Sequence, residues 1–137
     1  MLSLEDVVKA YVAGIIDGEG TVTLTKHHKN QTPSPEVSIS NNNLLLLKWI
    51  RKKVGGVIVS KKKRKLHHSN SYTWRLRQNK AIDFLNEIKK HLLIKRRQAD
   101  LITQEYKRVT HRAGKYTPQL LSQKNKLVNK IRALNQR

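Results

Sequence analysis

Two carboxylates separated by one glycine, Asp17 and Glu19, form the first pattern in this sequence that indicates chemistry. They follow an amphipathic helix that the apolar spacing predicts over residues 4 to 16, and Gly18 and Gly20 allow a tight turn around them. A carboxylate is disfavoured at the C-terminal end of a helix, where the dipole is negative, and a bound cation reverses that preference. The pattern predicts either a metal-binding turn or a glycine-capped helix end with two solvated acids.

The same helix carries small residues on one face, Ala10, Ala13 and Gly14. A glycine inside a helix costs about 1 kcal/mol relative to alanine, so Gly14 calls for a physical reason. Close approach of a second helix supplies that reason. We therefore expect Ala10, Ala13, Gly14 and Asp17 to lie in a helix–helix interface.

Residues 12 to 20, which read VAGIIDGEG, resemble the signature of the LAGLIDADG homing endonucleases at the small pair, the two aliphatic residues, both acids and the closing glycine. Glu19 stands where aspartate is commoner in that family. The resemblance continues weakly to about residue 109. It implies the α+β LAGLIDADG fold, α-β-β-α-β-β-α with C-terminal helices, in which a four-stranded antiparallel sheet forms a DNA-binding saddle. It also implies a site-specific enzyme that makes double-strand breaks in DNA by metal-dependent hydrolysis and so promotes intron mobility.

The resemblance further implies roles for individual residues. Glu19 and the carbonyl of Gly18 would bind Mg²⁺, which Mn²⁺ could replace, whereas Ca²⁺ would bind without supporting cleavage. Lys95 matches an active-site lysine of the family, and the alternative is one more surface lysine in a lysine-rich chain. Asn41 matches a polar, water-organising residue, although it could instead cap the next helix. A chain with a single motif resembles the members that act as homodimers, which would place two Glu19 carboxylates side by side.

Length and charge restrict the class of protein. We expect one domain over residues 1–137, with a core over about 1–109 and a C-terminal helical extension over about 110–137. Lys and Arg total 29 against 9 Asp and Glu, a net charge of +20 that implies a polyanionic partner such as DNA. No apolar run approaches the ~20 residues of a membrane span, and no signal peptide pattern is present. We therefore expect an intracellular protein, in a prokaryotic cytoplasm or an organelle, with no membrane association.

Alternating polar and apolar residues after Gly20 predict two β-hairpins with one apolar and one polar face. On the polar face, hydroxyls and long cations suit base reading and phosphate contact. The alternative is an ordinary solvated sheet face. The candidate DNA-binding residues are Thr21, Thr23, Thr25, His27, Lys29, Ser38, Ser40, Ser60, Lys61, Lys62, Lys63, Thr73, Arg75 and Arg77. This assignment places Val57 and Val59 towards the core.

Four further helices are predicted from spacing and capping residues, over about 44–54, 80–92 and 95–109, and after Thr117, where Pro118 suits the first position. The basic run at residues 61–65 could be a nuclear localisation signal or a phosphate contact beside a DNA site. Three other functions remain open: an RNA-binding intron maturase on the same fold, a non-cleaving DNA-binding regulator, and a small ribosomal RNA-binding protein.

Overall fold

The computed structural model describes residues 4–61, 71–111 and 115–136 of the chain. The elements in chain order are α1 (Asp6–Glu19), β1 (Gly20–Thr25), β2 (Ser34–Asn41), α2 (Leu44–Val54), β3 (Val57–Lys61), β4 (Ser71–Arg77), α3 (Gln78–Ile88), α4 (Arg96–Glu105) and α5 (Pro118–Asn135). Short 3-10 turns follow α3 at Lys89–His91 and α4 at Lys107–Val109. The predicted α+β class and element order are confirmed.

The four strands form one antiparallel sheet in the order β1-β2-β4-β3. Each hairpin therefore contributes one inner and one outer strand, and β2 pairs with β4 across the centre. Helices cover one face of this sheet, and the other face carries mainly polar residues. The core lies between sheet and helices, centred on the fully buried Trp74, whose indole meets Phe84 edge-on at 6.0 Å between ring centroids. α5 adds Leu127, Val128 and Ile131 to the same core.

Helix α1 differs from its sequence-based prediction in length and in orientation. It continues through Glu19 instead of ending near residue 16, so the acidic turn is the last turn of the helix. Its core side is Val12, Ala13 and Ile16, all with 0% exposure. Val7 and Tyr11 belong to the same apolar spacing, yet they are 78% and 54% exposed.

The other helices lie close to their predicted bounds. Asn43 caps α2 by accepting a hydrogen bond from the Leu46 amide at 3.3 Å, and Thr117 caps α5 by accepting one from the Leu120 amide at 3.1 Å. α3 begins two residues before its predicted start at Lys80, directly after β4, where Gln78 adopts a positive φ of 58°. None of the helices within the described residues is long and apolar enough to cross a membrane.

Candidate active site and nucleic-acid interface

Glu19 lies at the junction between α1 and β1, where the chain turns from helix to strand with no intervening loop. Gly20 permits this turn, because a Cβ atom there would lie 2.8 Å from the Cα of Ile16. The Glu19 side chain is exposed, and the Nδ2 of Asn41 donates a hydrogen bond to its Oε1 at 2.9 Å. The structure therefore brings together two of the predicted catalytic residues.

The orientation of the Asn41 amide is fixed by a second hydrogen bond. Its Oδ1 accepts from the backbone N–H of Asn43 at 2.7 Å, which leaves Nδ2 to face Glu19. The alternative that Asn41 caps α2 is wrong, since Asn43 is the capping residue. Asn41 thus holds a carboxylate at a helix C-terminus, where that charge is otherwise disfavoured.

Asp17 anchors a distant segment of the same chain. Its carboxylate accepts hydrogen bonds from three successive backbone amides, those of Leu93 at 2.7 Å, Ile94 at 3.1 Å and Lys95 at 3.0 Å. The Nζ of Lys95 in turn donates to the backbone carbonyl of Asp17 at 3.0 Å. Asp17 therefore positions the start of α4 and the predicted active-site lysine against the end of α1, and these contacts lie within one chain.

Substitution of Asp17 should consequently destabilise the fold. Asp17→Asn places an amide NH₂ among three N–H donors, and we expect the free energy of unfolding to fall by about 1–3 kcal/mol. Urea denaturation measures the change, with Asp83→Asn as a control because Asp83 is exposed on α3. An unchanged unfolding midpoint for Asp17→Asn would contradict the anchoring role.

Lys95 lies in a cavity of about 610 Å³ whose lining also includes Gly18, Thr21, Gln98 and Asn135. Gln98 and Asn135 were not among the predicted site residues. Gln98 is buried, donating to the Oδ1 of Asn135 at 3.1 Å, and the Nδ2 of Asn135 donates to the backbone carbonyl of Val22 at 3.0 Å. These amides connect α4, α5 and β1 beside Lys95. The only sign of this cluster in the sequence is Gln98, a polar residue at a core-facing position of α4.

The described part of the chain contains no group of three or more His, Cys, Asp or Glu side chains that could hold a metal ion. Glu19 supplies one exposed carboxylate, and Gly18 is exposed beside it with open space around its Cα. This oxygen donor chemistry suits Mg²⁺, which usually takes one or two carboxylates and completes its octahedron with water and phosphate oxygens. The residues therefore fit a magnesium ion that shares its ligands with a substrate.

The polar sheet face has the predicted composition on three of its strands. Cross-strand pairs place Thr21 beside Ser38 and Ser38 beside Arg75. A second row joins Thr23, Glu36 and Arg77, and a third joins Ser40 to Thr73, whose hydroxyl oxygens are 2.8 Å apart. Thr25 pairs with Ser34 at the outer end. The residues of this polar face are Thr21, Thr23, Thr25, Glu36, Ser38, Ser40, Thr73, Arg75 and Arg77, to which β3 adds Val57 and Val59.

The faces of the sheet on which the β3 residues lie were predicted wrongly. Val57 pairs with Arg75 and Val59 with Thr73, so both valines lie on the polar face, and Val57 is 54% exposed. Ser60 pairs with Tyr72 on the opposite face, so its predicted position on the polar face is wrong.

Two glycines before β3 explain its register against β4. Gly55 and Gly56 both adopt φ of +94°, and the indole of Trp74 donates to the Gly55 carbonyl at 2.7 Å. A Cβ on Gly56 would lie 2.7 Å from the carbonyl oxygen of Arg75. The approach of this turn to β4 therefore fixes the register. Of the predicted basic contacts, Lys61 is the last residue of β3, and Lys62 and Lys63 lie outside the described residues.

Charged groups at the outer part of the polar face are already partly neutralised. The Nε of Arg77 donates to Glu36 at 3.0 Å in an ion pair across the sheet.

His27 lies just beyond β1, and burial together with the nearby Arg77 guanidinium lowers its pKa below the ordinary histidine value. Lys29 is exposed in the turn between β1 and β2. Arg75 is half-buried, and its Nε has no hydrogen-bond partner among the described residues.

The outward side of α1 is apolar at its edge and small at its centre. Ala10, Gly14 and Gly18 are exposed, and a Cβ on either glycine would meet nothing within 4 Å. Ala13, predicted to share this surface, is wrongly placed there because it is fully buried in the chain's own core. We call this surface the outer face of α1, comprising Val7, Ala10, Tyr11, Gly14 and Gly18.

α2 extends the outer face of α1. Leu45 is 79% exposed, and Tyr11 meets Trp49 edge-on at 5.3 Å. Val7, Tyr11, Leu45 and Trp49 line part of a mainly apolar cavity of about 680 Å³ between the two helices. A continuous surface of small and apolar residues is therefore available for packing.

No protein-family model matches the sequence, and no curated protein matches it either. Solved structures do match. The homing endonuclease I-CvuI, in complex with the I-CreI target DNA in 2 mM Mg, has a TM-score of 0.74 at 18% identity, over 93% of this chain and 82% of that chain. A second structure of I-CvuI contains its own target in 2 mM Ca.

Two further structures extend the comparison. The archaeal intron-encoded homing endonuclease I-Vdi141I, in complex with DNA, has a TM-score of 0.56 at 19% identity, over 95% of this chain and 98% of that chain. The LAGLIDADG homing endonuclease I-LtrWI, bound to target DNA, has a TM-score of 0.64 at 20% identity, over 95% of this chain and 46% of that chain. The resemblance at residues 12 to 20 is thus matched by the three-dimensional structure, and the chain has the fold of the LAGLIDADG homing endonucleases.

Proposed function

We propose that this protein is a homodimeric, site-specific DNA endonuclease that promotes the mobility of the intron encoding it. The observation that carries the proposal is the exposed Glu19 carboxylate, which Asn41 holds at a helix C-terminus beside the acid-poor polar face of the sheet. A solvated helix cap gives no reason for an amide to hold that carboxylate. An enzyme that promotes the mobility of its own intron has to reach genomic DNA, so we place the protein inside the cell.

Each residue of the site has a proposed task. Glu19 and the carbonyl of Gly18 would bind Mg²⁺ or Mn²⁺, and Ca²⁺ would bind without cleavage. The metal would activate water and stabilise the leaving oxygen when bound. Asn41 orients Glu19 through its 2.9 Å hydrogen bond. Lys95, which Asp17 positions at the end of α1, would polarise the scissile phosphate or order the attacking water.

Dimerisation is proposed from the outer face of α1. Cutting both strands of a duplex requires two sites, and one chain provides one Glu19 turn. Ala10, Gly14 and Gly18 leave room for a second α1 to approach backbone to backbone, and the exposed Val7 and Tyr11 supply apolar area at the edge. A two-fold axis between paired α1 helices would place two Glu19 side chains near one another. Their mutual repulsion adds to the demand for a divalent cation.

DNA binding is proposed for the polar face. Its hydroxyls and Arg75 can donate to base edges or phosphates, and the exposed Val57, with the partly buried Val59 beside it, offers apolar contact to thymine methyl groups. A net charge of +20 favours a polyanion in general. Similar solved structures are complexes with DNA, and I-Vdi141I is described as intron-encoded.

The direct test is cleavage of the uninterrupted insertion site. The protein is incubated with Mg²⁺ and a duplex that joins the sequences flanking its own intron, and the products are resolved on a denaturing gel. We expect a cut in both strands, no cut when the intron interrupts the site, and binding without cleavage in Ca²⁺. Failure to cut in Mg²⁺ or Mn²⁺, together with binding to the precursor RNA, would replace the proposal with a maturase.

Arg75→Ala tests the polar face. We expect a loss of about 1–3 kcal/mol in binding that is confined to one base pair if Arg75 reads a base edge, or spread uniformly over all sequences if it contacts a phosphate. Binding in Ca²⁺ to a panel of single-base variants of the target distinguishes these outcomes. The control is Arg132→Ala, since Arg132 is exposed on α5. Unchanged affinity for every duplex would remove Arg75 from the interface.

A further inference from the structure

Lys124, in the middle of α5, has a buried side chain that is only 1% exposed. Its Nζ donates to the Oγ1 of Thr32 at 2.6 Å and to the hydroxyl of Tyr116 at 3.0 Å. The ammonium also lies over the rings of Tyr106 and Tyr116, 4.9 Å and 5.3 Å from their centroids. It forms no ion pair with a carboxylate among the described residues. A buried cation held only by neutral groups leaves positive charge for another anion to neutralise.

The hydroxyl groups around Lys124 have a proton to donate elsewhere. An ammonium group only donates, so both oxygens accept from Lys124. The hydroxyl oxygens of Thr32 and Tyr116 are 3.2 Å apart, so one hydroxyl can donate to the other. The second hydroxyl proton is not used in that contact. Burial raises the pKa of Tyr116, but hydrogen bonds with Lys124, Thr32 and the His111 backbone, together with the charge of Lys124, outweigh burial and lower it overall, which makes this phenol a stronger donor.

Both hydroxyl-bearing residues line a cavity of about 940 Å³, which we call the outer cavity. Lys107 and Lys115 also line it, and both are exposed. Its described lining contains no Asp or Glu and is otherwise rich in amides and hydroxyls. Donors and positive charge without a carboxylate are the properties of a site for an anion such as phosphate.

The outer cavity adjoins the end of the polar face that lies away from Glu19. Ser34, which pairs with Thr25 at the end of β1, lines it, and so does Gln78, which follows β4. The six residues of β1 separate it from the Glu19 turn, or roughly 16–20 Å at about 3.3 Å per residue. At about 3.4 Å per nucleotide step, that separation is roughly five to six base pairs.

We propose that the outer cavity binds a backbone phosphate of the DNA duplex, roughly five to six base pairs from the bond cleaved beside Glu19. The hydroxyl proton left by the Thr32 and Tyr116 pair donates to the phosphate, and Lys107 and Lys115 neutralise its charge, with Lys124 behind them. This inference rests on the proposed function, since it extends the same interface beyond the sheet. It identifies a contact that depends on the length of the duplex rather than on its sequence.

The test combines substitutions with shortening of the DNA. Binding is measured in Ca²⁺ on the full target and on a duplex that lacks the base pairs beyond the sheet at both ends. The variants are Lys107→Gln with Lys115→Gln, and Tyr116→Phe, which keeps the ring over which Lys124 lies. The control is Lys130→Gln, because Lys130 is exposed on α5 away from the cavity. Thermal unfolding verifies that every variant is folded.

On the full target, we expect the double lysine variant to bind about tenfold more weakly, with a salt slope smaller by roughly one for each lost phosphate contact. Tyr116→Phe should weaken binding about threefold without changing the salt slope by as much. On the short duplex, both variants should bind like the wild type, because the contact is already absent. Equal losses on both duplexes, or no loss on either, would overturn the proposal.

The failure of this proposal can be told from the failure of the proposed function. If the wild-type protein cuts both duplexes and binds them with equal affinity, only the phosphate site in the outer cavity is refuted. A wild-type protein that neither binds nor cuts either duplex would refute both. Tighter binding to an RNA duplex of the same length would also overturn a DNA phosphate site here.

Discussion

Glu19→Gln should abolish DNA cleavage while DNA affinity in metal-free buffer stays equal or rises. Glutamine keeps the length of the side chain and a carbonyl oxygen that can accept from Asn41, whose Nδ2 lies 2.9 Å from the Glu19 Oε1. The negative charge is lost, and with it the ligand for the divalent ion. We expect the cleavage rate to fall by roughly 10²–10³-fold or more. The affinity for DNA rises because one negative charge per subunit near the phosphates is removed.

The measurement is single-turnover cleavage in Mg²⁺ together with binding in EDTA. Glu105→Gln is the control, because Glu105 ends α4 as Glu19 ends α1 and has no proposed role. Glu19→Asp should retain part of the activity, since it keeps the carboxylate and changes only its reach. Wild-type cleavage by Glu19→Gln would reduce this turn to a helix end without metal chemistry.

Gly14→Leu should abolish dimerisation and cleavage together. Within one chain, a Cβ at this position meets nothing within 4 Å, so leucine is accommodated by the isolated fold. Replacing glycine inside a helix should even stabilise the single chain by up to about 1 kcal/mol. Between two paired helices, the same side chain has no space, and overpacking on both sides of a two-fold axis costs about 2–6 kcal/mol in total.

Analytical ultracentrifugation with and without DNA follows assembly, and thermal unfolding follows the fold. Ala133→Leu is the control, because Ala133 is exposed on α5 and adds the same side chain elsewhere. A monomeric wild type under both conditions would refute the dimer. A Gly14→Leu variant that still dimerises would place the interface on another surface.

Local patterns predicted the parts of this fold in which each residue has a single role. In β1, β2 and β4, hydroxyl or charged residues alternate with Val, Ile, Trp and Leu, so the assignment of faces was correct. In β3, Val57 and Ile58 are both apolar, and alternation cannot choose between their faces. Contacts between the Gly55–Gly56 turn and β4 decide the register.

The site was predictable in part for the same reason. The turn at Glu19 has a recognisable local sequence, whereas the partner that Asp17 binds lies 76 to 78 residues further along the chain. Ala13 and Gly14 are neighbours of similar size, yet one is buried and the other exposed, because α1 packs on the core along one side only. The burial of Lys124 depends on Thr32 and Tyr116, and neither contact leaves a periodic pattern in the sequence.

The bonds from Asp17 to the amides of Leu93 and Lys95 also have a consequence for the order of folding. They close a loop of more than 70 residues, so their formation requires the conformational entropy of that loop to be lost first. A ribosome releases Asp17 long before Lys95, and folding during synthesis proceeds from the N-terminal end. A nascent or truncated chain that stops before residue 93 therefore carries the acidic turn without the lysine beside it. The finished arrangement of groups around this turn can therefore form only once the start of α4 has been synthesised, and an incomplete chain does not carry it.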